Sequence, residues 1–266
     1  MSTNSAPAAP ITIDTNRPAV PMSRLVKLEL RKMFDTRSGF WLMMSIAIVA
    51  LIATVGCILF VPNDDLEFAV FGTAVGFPMV LLLPVIAILS VTGEWSQRTG
   101  LITFTLVPHR ASVIASKAIA AILVGIVGMV IAFAIGALGN ILAAAVNGVD
   151  AVWNITVTDF LLIVFANVLA LLVGFMLGVL IRNTPGAIVA YVAYSFLLPT
   201  IFGILAAFQD WFEKLQPWID FNFAQTPLFD GGPSGEEWAQ LGTSGLIWLV
   251  IPLSFGLWSI MRSEVK

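Results

Sequence analysis

The fold class this sequence predicts is an all-α polytopic membrane protein with six transmembrane helices. Three observations predict it. Apolar residues make up 59% of the 266-residue chain and charged residues 11%, against roughly 45–50% and about 25% in soluble proteins. Six apolar runs each approach or exceed the ~20 residues that cross a hydrocarbon core. The basic residues, finally, collect in alternate connections between those runs, as the positive-inside rule requires.

The runs are Gly39–Val61, Phe68–Thr92, Ala118–Val146, Phe160–Ile181, Thr184–Phe208 and Thr243–Met261, and none contains Asp, Glu, Lys, Arg or His. Arg182-Asn183 is the whole connection between the fourth and fifth, which predicts a tight helical hairpin. Of the 13 basic residues, all but Lys214 precede the first run or follow an even-numbered one. Asp64, Asp65, Glu67, Asp150, Asp159, Asp210 and Glu213 lie on the side of Lys214. Both termini are therefore expected on the cytoplasmic side of a plasma membrane. Met1–Pro21 is polar and carries no secretory signal pattern. The single cysteine, Cys57, lies inside an apolar run and has no disulfide partner.

Residues 1–21, rich in Ala, Pro, Ser and Thr, are predicted to be a disordered tail. An amphipathic interface helix follows over residues 22–38. Met22, Leu25, Val26, Leu30 and Met33 gather on one face, and Arg24, Lys27, Arg31 and Asp35 on the other. Glu29 interrupts the apolar face. Such a helix can meet anionic headgroups or dock along a cytoplasmic partner, and the pattern leaves both open. The six-span domain occupies 39–261, with a cytoplasmic loop at 93–117, an outer segment at 209–242 and a C-terminus at 262–266 in the cytoplasm. In the outer segment Trp211, Phe212, Leu215, Trp218 and Ile219 alternate with charges at near-helical spacing. That suits a re-entrant or surface helix that seals the outer face, or else a gate. DGGPSGEE after it is turn chemistry.

Within the runs, Gly72–Gly76 and Gly174–Gly178 have GxxxG spacing, which permits close helix packing or a dimer face. Pro78, Pro84, Pro199 and Pro252 are expected to kink or break their helices. Asn140 and Asn167 are expected to hydrogen-bond neighbouring helices.

Several function classes are excluded. Ion-coupled transporters place ionisable groups inside the membrane, and the six runs have none. His109 is the lone histidine, no HExxH occurs, and no GxxxxGK[ST] phosphate loop is present. An ATP-driven process would need another polypeptide at the cytoplasmic face.

The loop that faces it reads EWSQRTGLITFTLVPHRASVIASK. Glu94 and Arg98 are spaced to pair on one helix face, and Thr99-Gly100 breaks the turn. LITFTL can lie flat at the interface until Pro108 stops it. Arg110 and Lys117 straddle the start of the third run as headgroup anchors, and 111–117 reads as a short helix.

This arrangement resembles the type-2 permease family, the membrane subunits of ATP-binding-cassette transporters. The matching residues are Glu94, Arg98, Thr99-Gly100-Leu101, Thr103-Phe104, Pro108-His109-Arg110 and Ala115-Ser116-Lys117, with the usual Gly-Thr order reversed at 99–100. Glu29, Lys32, Arg37 and Trp41 similarly resemble the family's entry to its first span. The resemblance implies a homodimer, or a dimer with a sister permease, carrying two cytoplasmic ATPase subunits that hold ATP and Mg. It implies no cofactor in this chain and no enzymatic activity of its own. The ATPase-coupling elements would be Glu94, Arg98, Thr99, Pro108, Arg110 and Lys117 in the loop, and Arg24, Lys27, Glu29, Arg31, Lys32 and Arg37 on the interface helix. Spans one, two and five would line the path. The implied activity is export of an amphipathic, lipidic, peptide or drug-like substrate by alternating access. A non-transport anchor or sensor recruiting a cytoplasmic partner is the alternative, and no nucleic-acid partner is expected.

Overall fold

The computed structural model describes residues 20–35, 37–96 and 110–262. They form ten α-helices, termed α1 (Met22–Asp35), α2 (Arg37–Phe60), α3 (Phe68–Ser96), α4 (Arg110–Asn147), α5 (Val157–Ile181), α6 (Thr184–Val192), α7 (Leu198–Phe208), α8 (Asp210–Ile219), α9 (Gly235–Gly245) and α10 (Ile251–Arg262). Six helical segments are long and apolar enough to cross a membrane. Spans one to four are α2 to α5. Span five joins α6 to α7, and span six joins α9 to α10.

Spans two, three and four form the centre. Met79, Leu83 and Val91 of span two pack with Ala121, Met129 and Ala132 of span three and Leu171, Phe175 and Val179 of span four. Spans one, five and six pack around this trio and expose most of their apolar surface. Span three is longer than its apolar run, because α4 starts at Arg110 and runs 38 residues without a break. At 1.5 Å per residue that is about 57 Å, so its first turns project past a ~30 Å hydrocarbon core. The helical reading of 111–117 is thus continuous with the span. Arg37 opens α2 and is no part of α1, which ends at Asp35.

The prolines act differently from one another. Pro199 and Pro252 each follow a π-helical turn, Ala193–Leu197 in span five and Leu246–Val250 in span six. A proline ring clashes with the carbonyl four residues before it, and a wide turn relieves that clash. Pro78 and Pro84, by contrast, sit inside the continuous α3, so the expected break at these two does not occur. At Pro84 the structure shows a compensating bond. The missing N–H would free the carbonyl of Val80, and the buried Tyr191 hydroxyl donates to that oxygen at 2.6 Å. Tyr191→Phe should therefore lower stability by about 1 kcal/mol, read as a shift of the unfolding transition in detergent. An unchanged midpoint would show that the carbonyl needs no such donor.

Asn140 and Asn167 serve the chain locally. The Asn140 amide donates to the carbonyl of Val152 in the connection after span three, at 3.0 Å. That of Asn167 donates one turn back to Ile163, at 2.9 Å. The expectation of bonds to neighbouring helices is corrected here: for each, a backbone carbonyl close in sequence lies within reach first.

The segment between spans five and six folds back into the bundle. The carbonyl of Ile219 accepts from the Trp248 indole at 2.7 Å, and the Asn222 amide donates to the Tyr194 carbonyl at 3.4 Å. Tyr194 and Trp248 lie near the midpoints of spans five and six, so 219–222 reaches well below the helix ends. Phe212 and Gln216 face inward on α8, while Trp211 and Leu215 are exposed. Buried Asp220 accepts from the Gln216 side chain and from the backbone N–H groups of Asn222 and Phe223. After the positive-φ turn at Gly231 and Gly232, Ser234 and Glu237 form a capping box. Span six thereby starts at Gly235, eight residues ahead of its apolar run.

Candidate functional site

At the end of the bundle where spans two and four finish, four charged side chains meet. Glu29 and Lys32 come from α1, Glu94 from the last turn of span two, and Lys117 from the third turn of α4. The Lys117 ammonium lies 2.7 Å from Glu29 Oε2, 3.0 Å from Glu94 Oε1 and 3.1 Å from the carbonyl of Ser90. Lys32 lies 2.7 Å from Glu29 Oε1 and 3.5 Å from Glu94 Oε1. The four charges sum to zero, and three of them are removed from solvent: Glu29 is 5% exposed, Glu94 6% and Lys117 3%.

Burying charge is expensive unless each ion is paired and hydrogen-bonded. Lys117 meets that condition with three oxygen partners, and Glu29 with one ammonium on each carboxylate oxygen. Glu94 meets it on one side, since its Oε2 is buried with no hydrogen-bond partner among the described residues. Lys32 sits at the rim. Burial works against its charge, but the Glu29 hydrogen bond and the nearby carboxylates outweigh this and raise its pKa above the ordinary lysine value. Lys32 therefore keeps its charge at neutral pH.

The cluster accounts for the blemish on α1. Glu29 points inward with Leu25 because Lys117 and Lys32 bind it there. Leu30 and Met33 pack against the central core, as do Trp95 and Ala118. The apolar face of α1 thus rests on the bundle, and Arg24, Lys27, Leu28, Arg31 and Phe34 remain exposed on its other side. Among the described residues Arg31 pairs only with Asp35 of its own helix, at 2.7 Å and in the open, which is worth little. Arg37 is exposed at the start of span one.

Lys117, expected as a headgroup anchor, is corrected to a buried cross-link. It falls seven residues into a helix whose packing turns that position inward. Arg110 reaches across to span six, donating to the carbonyl of Ile260 at 3.1 Å. Arg98, Thr99 and Pro108 lie outside the described residues, as do Thr103, Phe104 and His109, so the Glu94–Arg98 pairing falls outside them too. Two further contacts tie this end together and were not anticipated. The hydroxyls of Thr92 and Thr184 are 2.7 Å apart, joining spans two and five. Arg182, in the left-handed conformation (φ 54°) that closes span four, donates to the Ser259 hydroxyl of span six at 2.7 Å. A serine and threonine in apolar runs were the available signal, but their partners are 77 to 92 residues away.

Among the described residues no three His, Cys, Asp or Glu side chains are grouped to hold a metal ion. Nor does any protein-family model or curated protein match this chain.

Proposed function

We propose that this chain is the membrane subunit of an ATP-driven exporter of the ATP-binding-cassette type, powered by separate ATPase subunits at its basic end. The observation that carries the reading is the buried quartet of Glu29, Lys32, Glu94 and Lys117. It joins a surface helix to the ends of two central spans through charges in fixed geometry. A rigid joint of that kind transmits force: a partner that moves α1 or the 97–109 connection must move spans two and three with it. The exposed cations of α1, Arg24, Lys27 and Arg31, offer a surface for an acidic groove. Six spans without an ionisable residue in their apolar runs favour an energy source outside the chain.

The test is a search of the neighbouring genes for a soluble, phosphate-loop ATPase, followed by reconstitution of the chain with it. Basal ATPase activity is expected to rise when the chain is present. Glu94→Ala should reduce that stimulation at least ten-fold while the two proteins still co-purify, and Glu94→Gln, which keeps the shape, separates lost charge from lost packing. If no ATPase binds, the chain is instead an anchor or sensor; if Glu94→Ala stimulates as the wild type does, the quartet is not the joint that transmits the motion.

A further inference from the structure

Away from the charged quartet, the structure contains an apolar cleft of about 430 Å³ between spans four, five and six. Its walls include Leu177 and Leu180 of span four, Ala193 of span five and Pro252 of span six. Tyr194 and Trp248, whose ring centroids are 5.7 Å apart, line it as well. Along span five the lining extends from Ala190 to Ile201, about 16 Å at 1.5 Å per residue. The cleft is therefore long and narrow. Both π-helical turns lie in its walls. A wide turn shifts the side-chain stack of a helix, and two of them facing each other leave space that regular helices would close.

Water is a poor occupant, since it needs two to four polar partners in such a site. The Trp248 indole N–H is already committed to Ile219, which leaves the Tyr194 hydroxyl as the one polar side-chain tip in the lining. An apolar chain is a good occupant. At its basic end the cleft is followed by a cation. Arg182 lies two residues beyond Leu180 on span four, and it is bonded to Ser259, seven residues beyond Pro252 on span six. By helical rise that is about 3 Å and about 10 Å past the lining. The guanidinium thus bridges two of the helices that wall the cleft. Its Nε is buried and has no hydrogen-bond partner among the described residues.

We propose that this cleft holds one acyl chain of an anionic phospholipid, with the phosphate received by Arg182. A guanidinium presents a planar fork of donors that matches phosphate oxygens, and basic pockets between membrane helices take lipid headgroups. The occupant is a resident lipid, so the assignment stands whether or not the chain transports anything.

Native mass spectrometry of the full-length chain in mild detergent tests this, with phosphatidylglycerol and phosphatidylcholine of identical acyl chains as probes. The wild type should retain phosphatidylglycerol at least five-fold better than phosphatidylcholine. Ala193→Trp, which fills the cleft, should abolish retention of both. Arg182→Gln should bring phosphatidylglycerol down to the level of phosphatidylcholine. Val127→Trp, on the outward face of span three, should change nothing. Undiminished retention in Ala193→Trp, or equal loss in Val127→Trp, overturns the cleft as the site. An unaltered lipid preference in Arg182→Gln overturns the headgroup assignment. Ala190→Phe, on the same wall, replaces Ala193→Trp if the latter loses its helical circular dichroism. No ATPase is needed, so this result is independent of the coupling experiment.

Discussion

Lys117→Met is expected to destabilise the protein by about 3–5 kcal/mol, because it leaves two buried carboxylates with one ammonium at the rim. Glu29 Oε2 and Glu94 Oε1 both lose their nearest cation, at 2.7 Å and 3.0 Å. Lys32, whose side chain is 43% exposed, cannot approach both at Lys117's distances, since it already lies 3.5 Å from Glu94. Released from its anchor, α1 should also become a substrate for trypsin at Arg24, Lys27 and Arg31. Denaturant titration and limited proteolysis in the same detergent read the two effects. Lys32→Met, at the rim, should cost no more than about 1 kcal/mol. The paired replacement Glu29→Leu with Lys117→Met should be milder than Lys117→Met alone, because it removes one charge of each sign and leaves Glu94 with Lys32. Were Lys32→Met and Lys117→Met equally costly, the buried cross-link would not be what holds α1.

The second large effect is expected at Gly174. Spans two and four lie in close contact where this glycine faces Pro84. A Cβ added there would lie 2.7 Å from both the Pro84 Cβ and its carbonyl oxygen, and 2.8 Å from its Cα. Backbone cannot step aside as a side chain can, so Gly174→Ala should force the helices apart and cost about 1–3 kcal/mol. One turn on, a Cβ at Gly178 would meet Val91 and Ile88 at 3.3–3.4 Å, and Gly178→Ala should be milder. Gly76, with nothing within 4 Å, should accept alanine at a change within about 0.5 kcal/mol. The order of the three midpoints in a thermal unfolding series checks the argument, and a flat series would remove it. The two GxxxG patterns are thus unequal: Gly174–Gly178 is a contact surface inside the chain, whereas Gly76 faces open space.

The composition of this chain determined its six apolar helices, within a few residues of where the structure places most of them. The reason is physical: a helix spanning a hydrocarbon core must satisfy its own backbone and present apolar side chains along ~20 consecutive residues, and both requirements are local. Span three starts ahead of its apolar run, since the helix read at 111–117 is continuous with it and α4 begins eight residues before Ala118, where the helix has left the core and charge becomes tolerable. Span six likewise begins early, at a cap that reads in sequence as a turn. The charged residues at the basic end were legible as a group through residue type and loop parity. Their roles were not. Lys117 and Glu29 are 88 residues apart, and Lys32 and Glu94 are 62 apart. No periodicity within one helix can say which distant charge a third helix will bring alongside. Glu29 looked like a flaw in an apolar face because its justification sits on another helix. The cleft beside Tyr194 and Trp248 has the same origin. Proline at 199 and 252 was visible, but the π turns, and the volume two of them enclose when spans five and six meet span four, exist only after packing. Sequence alone settled what must be buried in an apolar layer; tertiary structure decided which buried charges neutralise one another and where the packing leaves room.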